Sequence, residues 1–297
     1  MKNLRDGLMG IFGCVVVALI VSCGSSSNSD DESSNGGGSM TAESTVVRSA
    51  NLTGAAENPP NLLSLATGRG AVVVDSTTLG ITGGLTFTGF TPSPGGHHIH
   101  QAPAGDPTNN GPPIISLLLA TDNVTVVVPP DTTLTQAQYD ALLAGELYFN
   151  VHSAAYASGE IRGQINLSGG VIAAVTSLNG AQEVPPVMTS ASGKGTLVVD
   201  DVTGDILISY VTHDVAITTA AHIHTALGPG SEGGPIVTFS TLDPDFDGFG
   251  TNLAAPPAPT QMMPKDVTDF LINYLYFNIH STAYPGGEIR GDITVLP

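Results

Sequence analysis

Leu52-Thr53-Gly54-Ala55-Ala56-Glu57-Asn58-Pro59-Pro60 returns, 126 residues later, as Leu178-Asn179-Gly180-Ala181-Gln182-Glu183-Val184-Pro185-Pro186. A fixed period of this kind marks an internal repeat. The match runs on: Gly68-Arg69-Gly70 answers Gly193-Lys194-Gly195, Val72-Val73-Val74-Asp75 answers Leu197-Val198-Val199-Asp200, and Gly111-Pro112 answers Gly234-Pro235. Each copy spans about 120 residues, an ordinary domain size. The boundary falls at Ser168-Gly169-Gly170, which divides the body into 46–168 and 171–297.

Within each copy, apolar runs of strand length alternate with turn residues. The first copy has Ala71 to Val74, Leu85 to Phe90, Ile114 to Leu119, Leu147 to Val151 and Ile161 to Leu167. The second has Leu197 to Val199, Ile206 to Val211, Ile236 to Phe239, Leu275 to Ile279 and Ile289 to Leu296. With 36 Gly, 21 Pro and few helix-forming charged residues, the expectation is all-β: two tandem antiparallel sandwiches, Greek-key-like. One short helix interrupts each copy. Thr135-Gln136-Ala137-Gln138 reads as a capping box, Tyr139, Leu142 and Leu143 as the apolar stripe, and Gly145 as the left-handed stop. In the second copy Pro264 takes the first helical position, Phe270 and Leu271 the stripe, and Asn273 the stop.

The first 22 residues read as an export signal, with Lys2 and Arg5 ahead of the apolar stretch Leu8 to Val21. Ile20-Val21-Ser22-Cys23 resembles the lipobox of bacterial lipoproteins. That resemblance implies cleavage before Cys23, lipid on its sulfur, and an exported protein anchored to the cell envelope. Gly24 and Ser25 lack the Asp that marks inner-membrane retention in such proteins, which favours the outer membrane. Residues 23–45 are Ser, Gly, Asn and Asp with almost nothing to bury, a flexible tether with an r.m.s. reach of roughly 25 Å. Removing Lys2, Arg5 and Asp6 with the signal takes Lys+Arg from 8 to 6, Asp+Glu from 26 to 25 and the net charge from −18 to −19. That charge argues against nucleic acid as a partner. Cys14 leaves with the signal, so no disulfide is available within one mature chain.

Six of the eight histidines occupy matched places: His98, His100 and His152, then His222, His224 and His280. Each set is a His-Ile-His triplet followed, some fifty residues on, by Tyr-Phe-Asn-x-His and Gly-Glu-Ile-Arg-Gly. The order Gly-Ala-x-Glu-x-Pro-Pro, His-Ile-His, Gly-Pro, Leu-Tyr-Phe-Asn-x-His, Gly-Glu-Ile-Arg-Gly resembles the CHRD domain. This module was first noticed in the animal protein chordin and is common in bacterial secreted proteins. The likeness covers about Val46 to Leu167 and Val171 to Pro297. It implies a β-sandwich module and carries no settled activity. His97 faces Ala221 in the repeat, and His213 has no partner histidine, so neither belongs to a shared site.

Residues two apart on a strand share a face, with alpha carbons roughly 6.5 to 7 Å apart. His98 and His100 therefore project together, as do His222 and His224; if the Tyr-Phe-Asn strand is a neighbour, the third histidine joins them. Three neutral imidazoles suit copper or zinc, with copper favoured. Glu160 with Arg162, and Glu288 with Arg290, fit either carboxylates orienting the ligands or salt bridges closing the last hairpin. Asp243-Pro244-Asp245-Phe246-Asp247-Gly248 begins like a calcium loop, but its twelfth position is Ala254 and the first copy has no equivalent, so calcium is not expected.

The reading is a lipid-anchored, metal-binding module. Two alternatives stay open: a copper-dependent oxidoreductase similar in its His-x-His geometry to superoxide dismutase, and a structural or adhesive surface protein whose histidines only brace strands through hydrogen bonds. No nucleophile elbow, phosphate loop or His-Glu-x-x-His motif is present, and no protein partner is indicated.

Overall fold

The structure, a computed structural model, describes residues 44–120, 122–239, 241–243, 252–255 and 261–296. The export signal, Cys23, the tether through residue 43 and residues 244–250 of the acidic loop lie outside the described residues. Among the described residues no helix is long and apolar enough to cross a membrane.

In the first copy the chain runs β1 (Thr45–Thr53), β2 (Thr67–Asp75), β3 (Ile81–Thr88), β4 (Pro92–Gln101), β5 (Pro113–Ser116), β6 (Leu118–Leu119), β7 (Thr125–Val127), α1 (Gln136–Leu143), β8 (Leu147–Ser153) and β9 (Ile161–Gln164). The second repeats it as β10 (Val171–Asn179), β11 (Ser192–Asp200), β12 (Ile206–His213), β13 (Thr218–Thr225), β14 (Pro235–Thr238), β15 (Thr241–Asp243), β16 (Asn252–Ala255), α2 (Pro264–Leu271), β17 (Leu275–Ser281) and β18 (Ile289–Ile293). Each copy is one antiparallel sheet, in the order β5-β4-β8-β9-β1-β2-β3-β7-β6 and β14-β13-β17-β18-β10-β11-β12-β16-β15. The protein is mostly β, and each sheet curls into a sandwich around its own core.

Alternation along the strands fills those cores. Leu52, Val72, Leu85, Phe87, Ile99, Phe149 and Ile161 meet inside the first sheet, and Leu178, Leu197, Ile223, Phe277 and Ile289 inside the second. The unbroken apolar run Ala71 to Val74 has a different cause. Val72 and Val74 face the first core, while Ala71 and Val73 join Val127, Ala173, Val198, Ile208 and Leu296 in a third cluster between the copies. A strand buried on both faces has no reason to alternate. The seam also holds Tyr210, whose hydroxyl bonds Thr82 and receives the Gly83 N–H at 3.2 Å, and Arg69, which reaches Asp200 and Asp205.

Several segments depart from the sequence reading. Strands β1 and β10 were not expected, and β1 starts at Thr45, inside the stretch read as tether. Ile114 to Leu119 is two strands: β5 pairs with β4, and β6 pairs with β7 at the far end of the sheet. The break is at Leu117, whose N–H donates to His97 O at 3.0 Å and whose carbonyl lies 2.7 Å from His97 Nδ1. The helices keep their expected ends. Thr135 makes both capping-box bonds, and Gly145 (φ 74°) and Asn273 (φ 61°) make the left-handed stops. Their stripes are narrower than expected, because Leu143 and Leu271 are exposed while Leu142 and Phe270 are fully buried.

Candidate metal centre

Strand β4 lies against β8 in a register that sets Ile99 opposite Phe149, His98 opposite Asn150 and His100 opposite Tyr148. Ile99 and Phe149 fill the core, so His98, His100, Tyr148, Asn150 and His152 share the opposite face. The second copy sets His222 opposite Asn278 and His224 opposite Tyr276, with His280 further along β17. In each copy one nitrogen from each of three histidines lies within 4.8 Å of the other two. Sequence spacing paired the triplet histidines, and strand adjacency brings in the third.

Backbone carbonyls orient these rings. His100 Nδ1 lies 2.8 Å from Gly111 O, and His152 Nδ1 lies 3.0 Å from Ala157 O. The matching contacts are His224 Nδ1 to Gly233 O at 2.8 Å and His280 Nδ1 to Pro285 O at 3.0 Å. A neutral imidazole that donates from Nδ1 carries its lone pair on Nε2. The Nε2 atoms of His100, His152 and His224 are buried and have no hydrogen-bond partner. His222 Nδ1 stands 3.1 Å from His280 Nε2. Two nitrogens bound to one tetrahedral ion at its usual bond length stand about 3.3 Å apart.

Burial favours the neutral form of His100, His222, His224 and His280. Burial pushes His222 down to about 4, and His280 and His224 beside it push the same way. Burial also lowers His100, His224 and His280, against the opposing pull of the carbonyls they bond. Neutral imidazole is the form that ligates metal.

Glu160 and Glu288 each hold a hydroxyl from a neighbouring loop. Glu160 Oε1 accepts from Ser64 Oγ at 2.8 Å, and Glu288 Oε1 accepts from Thr189 Oγ1 at 2.8 Å. Neither forms the hairpin salt bridge with its arginine. The side chain of Arg162 turns instead to Asn110 Oδ1 (3.0 Å), Pro107 O (2.8 Å) and Asn109 O (3.1 Å), and its guanidinium lies 3.5 Å from the Tyr148 ring centre. Arg290 stacks on Tyr276 at 3.6 Å and bonds Asp292 at 2.6 Å. Both arginines are almost wholly buried. Arg162 thereby fixes the loop that carries Gly111 O to His100, while Tyr148 stacks on His100 with ring centres 5.0 Å apart.

Sequence reasoning passed over Glu57 and Glu183. Both are buried, and each accepts from the asparagine of its own triad face: Asn150 Nδ2 to Glu57 Oε1 at 2.8 Å, and Asn278 Nδ2 to Glu183 Oε1 at 3.0 Å. Burial raises both carboxyls to about 7, partly opposed by the asparagine bond and the nearby arginine. The signal was on hand in the repeat, since Glu is one of the few charged residues kept at a matched place in both copies.

The CHRD domain family model matches residues 48–165 and again 174–293. No curated protein and no solved structure matches the chain. The two matched stretches take in both histidine sets and nearly all of both sheets, and the chain belongs to the CHRD domain family as a tandem pair.

Proposed function

We propose that each CHRD copy binds one transition-metal ion through three imidazoles, His98, His100 and His152 in the first and His222, His224 and His280 in the second. The observation that carries this reading is the pairing of oriented Nδ1 atoms with buried, partnerless Nε2 atoms on His100, His152 and His224. An unpaired buried nitrogen costs about 1–3 kcal/mol. A metal ion removes that cost, whereas strand bracing leaves it in place. Copper comes before zinc because imidazole nitrogens follow the Irving–Williams order, in which copper(II) binds more tightly than zinc(II). In this reading the lipid on Cys23 and the tether hold the pair at the envelope surface, where it sequesters or delivers metal. Substitution Cys23→Ser then moves the protein from the membrane to the soluble fraction.

Metal binding stabilises the folded state by about 2.7 kcal/mol at a hundredfold excess over Kd. The melting temperature of the full chain therefore rises with copper(II) or zinc(II) and returns to its starting value when chelator is added. An unchanged melting temperature with either ion counts against the reading. The oxidoreductase alternative draws on one observation, that three ligands leave a tetrahedral ion one open position. Turnover of superoxide by copper-loaded protein, lost with the histidines, would favour it over simple binding.

A further inference from the structure

Asn150 and Asn278 stand in the middle of the triad faces, each only 3% exposed, and the side-chain oxygen of each is buried without a hydrogen-bond partner. Their orientation is fixed from the other end. Asn150 Nδ2 donates to Glu57, and Asn278 Nδ2 donates to both oxygens of Glu183 at 3.0 and 3.2 Å. Glycine makes room for the pair: a Cβ on Gly159 would come within 2.6 Å of Glu57 Oε1 and 2.8 Å of Asn150 Nδ2, and one on Gly287 within 2.6 Å of Glu183 Oε1.

The strand order gives the free oxygen its direction. β8 lies between β4 and β9, and the 3-10 turn Gly54–Ala56 that delivers Glu57 packs on β9. Nδ2 is therefore turned toward β9, and Oδ1 back toward β4, where His98 is directly opposite Asn150. Opposed residues have Cβ atoms about 4.5–5.5 Å apart. In the second copy His222 is likewise directly opposite Asn278, and a Cβ on Gly287 would come within 2.7 Å of Asn278 Oδ1 and 2.9 Å of its Nδ2.

Resting on the metal reading, we propose that Asn150 and Asn278 select what fills the open fourth position of each ion. Because Nδ2 is committed to a glutamate, each asparagine presents only an acceptor. A ligand carrying N–H or O–H, such as water or ammonia, satisfies that acceptor. A bare anion such as azide places negative charge against it. Asn150 and Asn278 are thus specificity-determining residues for a small neutral hydrogen-bond donor at the metal.

The test is an azide titration of the copper(II)-loaded full chain, followed by the charge-transfer absorption of bound azide. The double substitution Asn150→Leu with Asn278→Leu is near-isosteric and removes the acceptor. With metal content still at two per chain, it tightens azide binding at least tenfold. A second pair, Asn150→Ala with Asn278→Ala, removes the same acceptor by truncation and tightens azide at least threefold. Unchanged azide affinity in either metal-loaded variant overturns the selection and leaves the metal site standing. Failure of the unsubstituted chain to take up copper overturns the metal reading itself, so the two failures are told apart.

Discussion

At position 213 the second copy carries a histidine where the first carries Phe87: the two pair with Gly193 and Gly68 at matched places in the sheet. His213 is 1% exposed, its Nδ1 has no partner, and burial pushes it down to about 4 from the usual 6.5. The unfolded chain takes up that proton near pH 6.5, whereas the folded chain refuses it until about pH 4. Stability therefore falls as pH drops from 6.5 toward 4, by roughly 3 kcal/mol from this residue alone. The substitution His213→Phe should flatten that slope in urea unfolding curves taken at pH 7, 6 and 5; a slope unchanged from the parent chain would refute the assignment.

The helices show how much a single element's chemistry can be read from sequence. Thr135 Oγ1 accepts from the Gln138 N–H at 3.2 Å and Gln138 Oε1 accepts from the Thr135 N–H at 2.8 Å, whereas Met263 caps α2 with no side-chain bond. Replacing Thr135 with Ala should cost about 1 kcal/mol of stability, and Met263→Asp should add a similar amount by supplying the missing acceptor. Denaturant midpoints moving the other way would show that neither cap acts as described. These caps were legible because they depend on neighbours within four residues. The His-Ile-His strand was legible for the same reason, through the period of two. The break at Leu117 was not, because it depends on His97, twenty residues away, fixing the corner where the chain crosses from β5 to β6. Strand β1 was missed because Thr45-Val46-Val47-Arg48-Ser49 does not alternate cleanly, and its pairing with β2 supplies what the pattern lacks. The second partner of each imidazole was hidden too, since Gly111 and Gly233 act through carbonyls that any residue possesses.

Across the whole molecule, the two sheets bury Val73, Val127, Ile208, Tyr210 and Leu296 against each other, and both copies fall in one compact unit. Tyr210 reaches out of the second copy to Thr82 and Gly83 of the first. Loss of its hydroxyl in Tyr210→Phe takes a partner from the Gly83 N–H and leaves Thr82 with Thr196, at a cost of about 1–3 kcal/mol. A single unfolding transition that moves to lower denaturant is the expected outcome; two separate transitions in the unsubstituted chain would mean the copies do not support one another. Joined in this way, the pair presents two three-histidine clusters of the same build. The most direct test is the metal content of the full chain purified without chelator and equilibrated with copper. The account predicts two ions per chain, one after His98, His100 and His152 are changed to alanine, one after the same change at His222, His224 and His280, and none when all six are replaced. Copper uptake that is absent from the unsubstituted chain, or that survives loss of all six histidines, would contradict it.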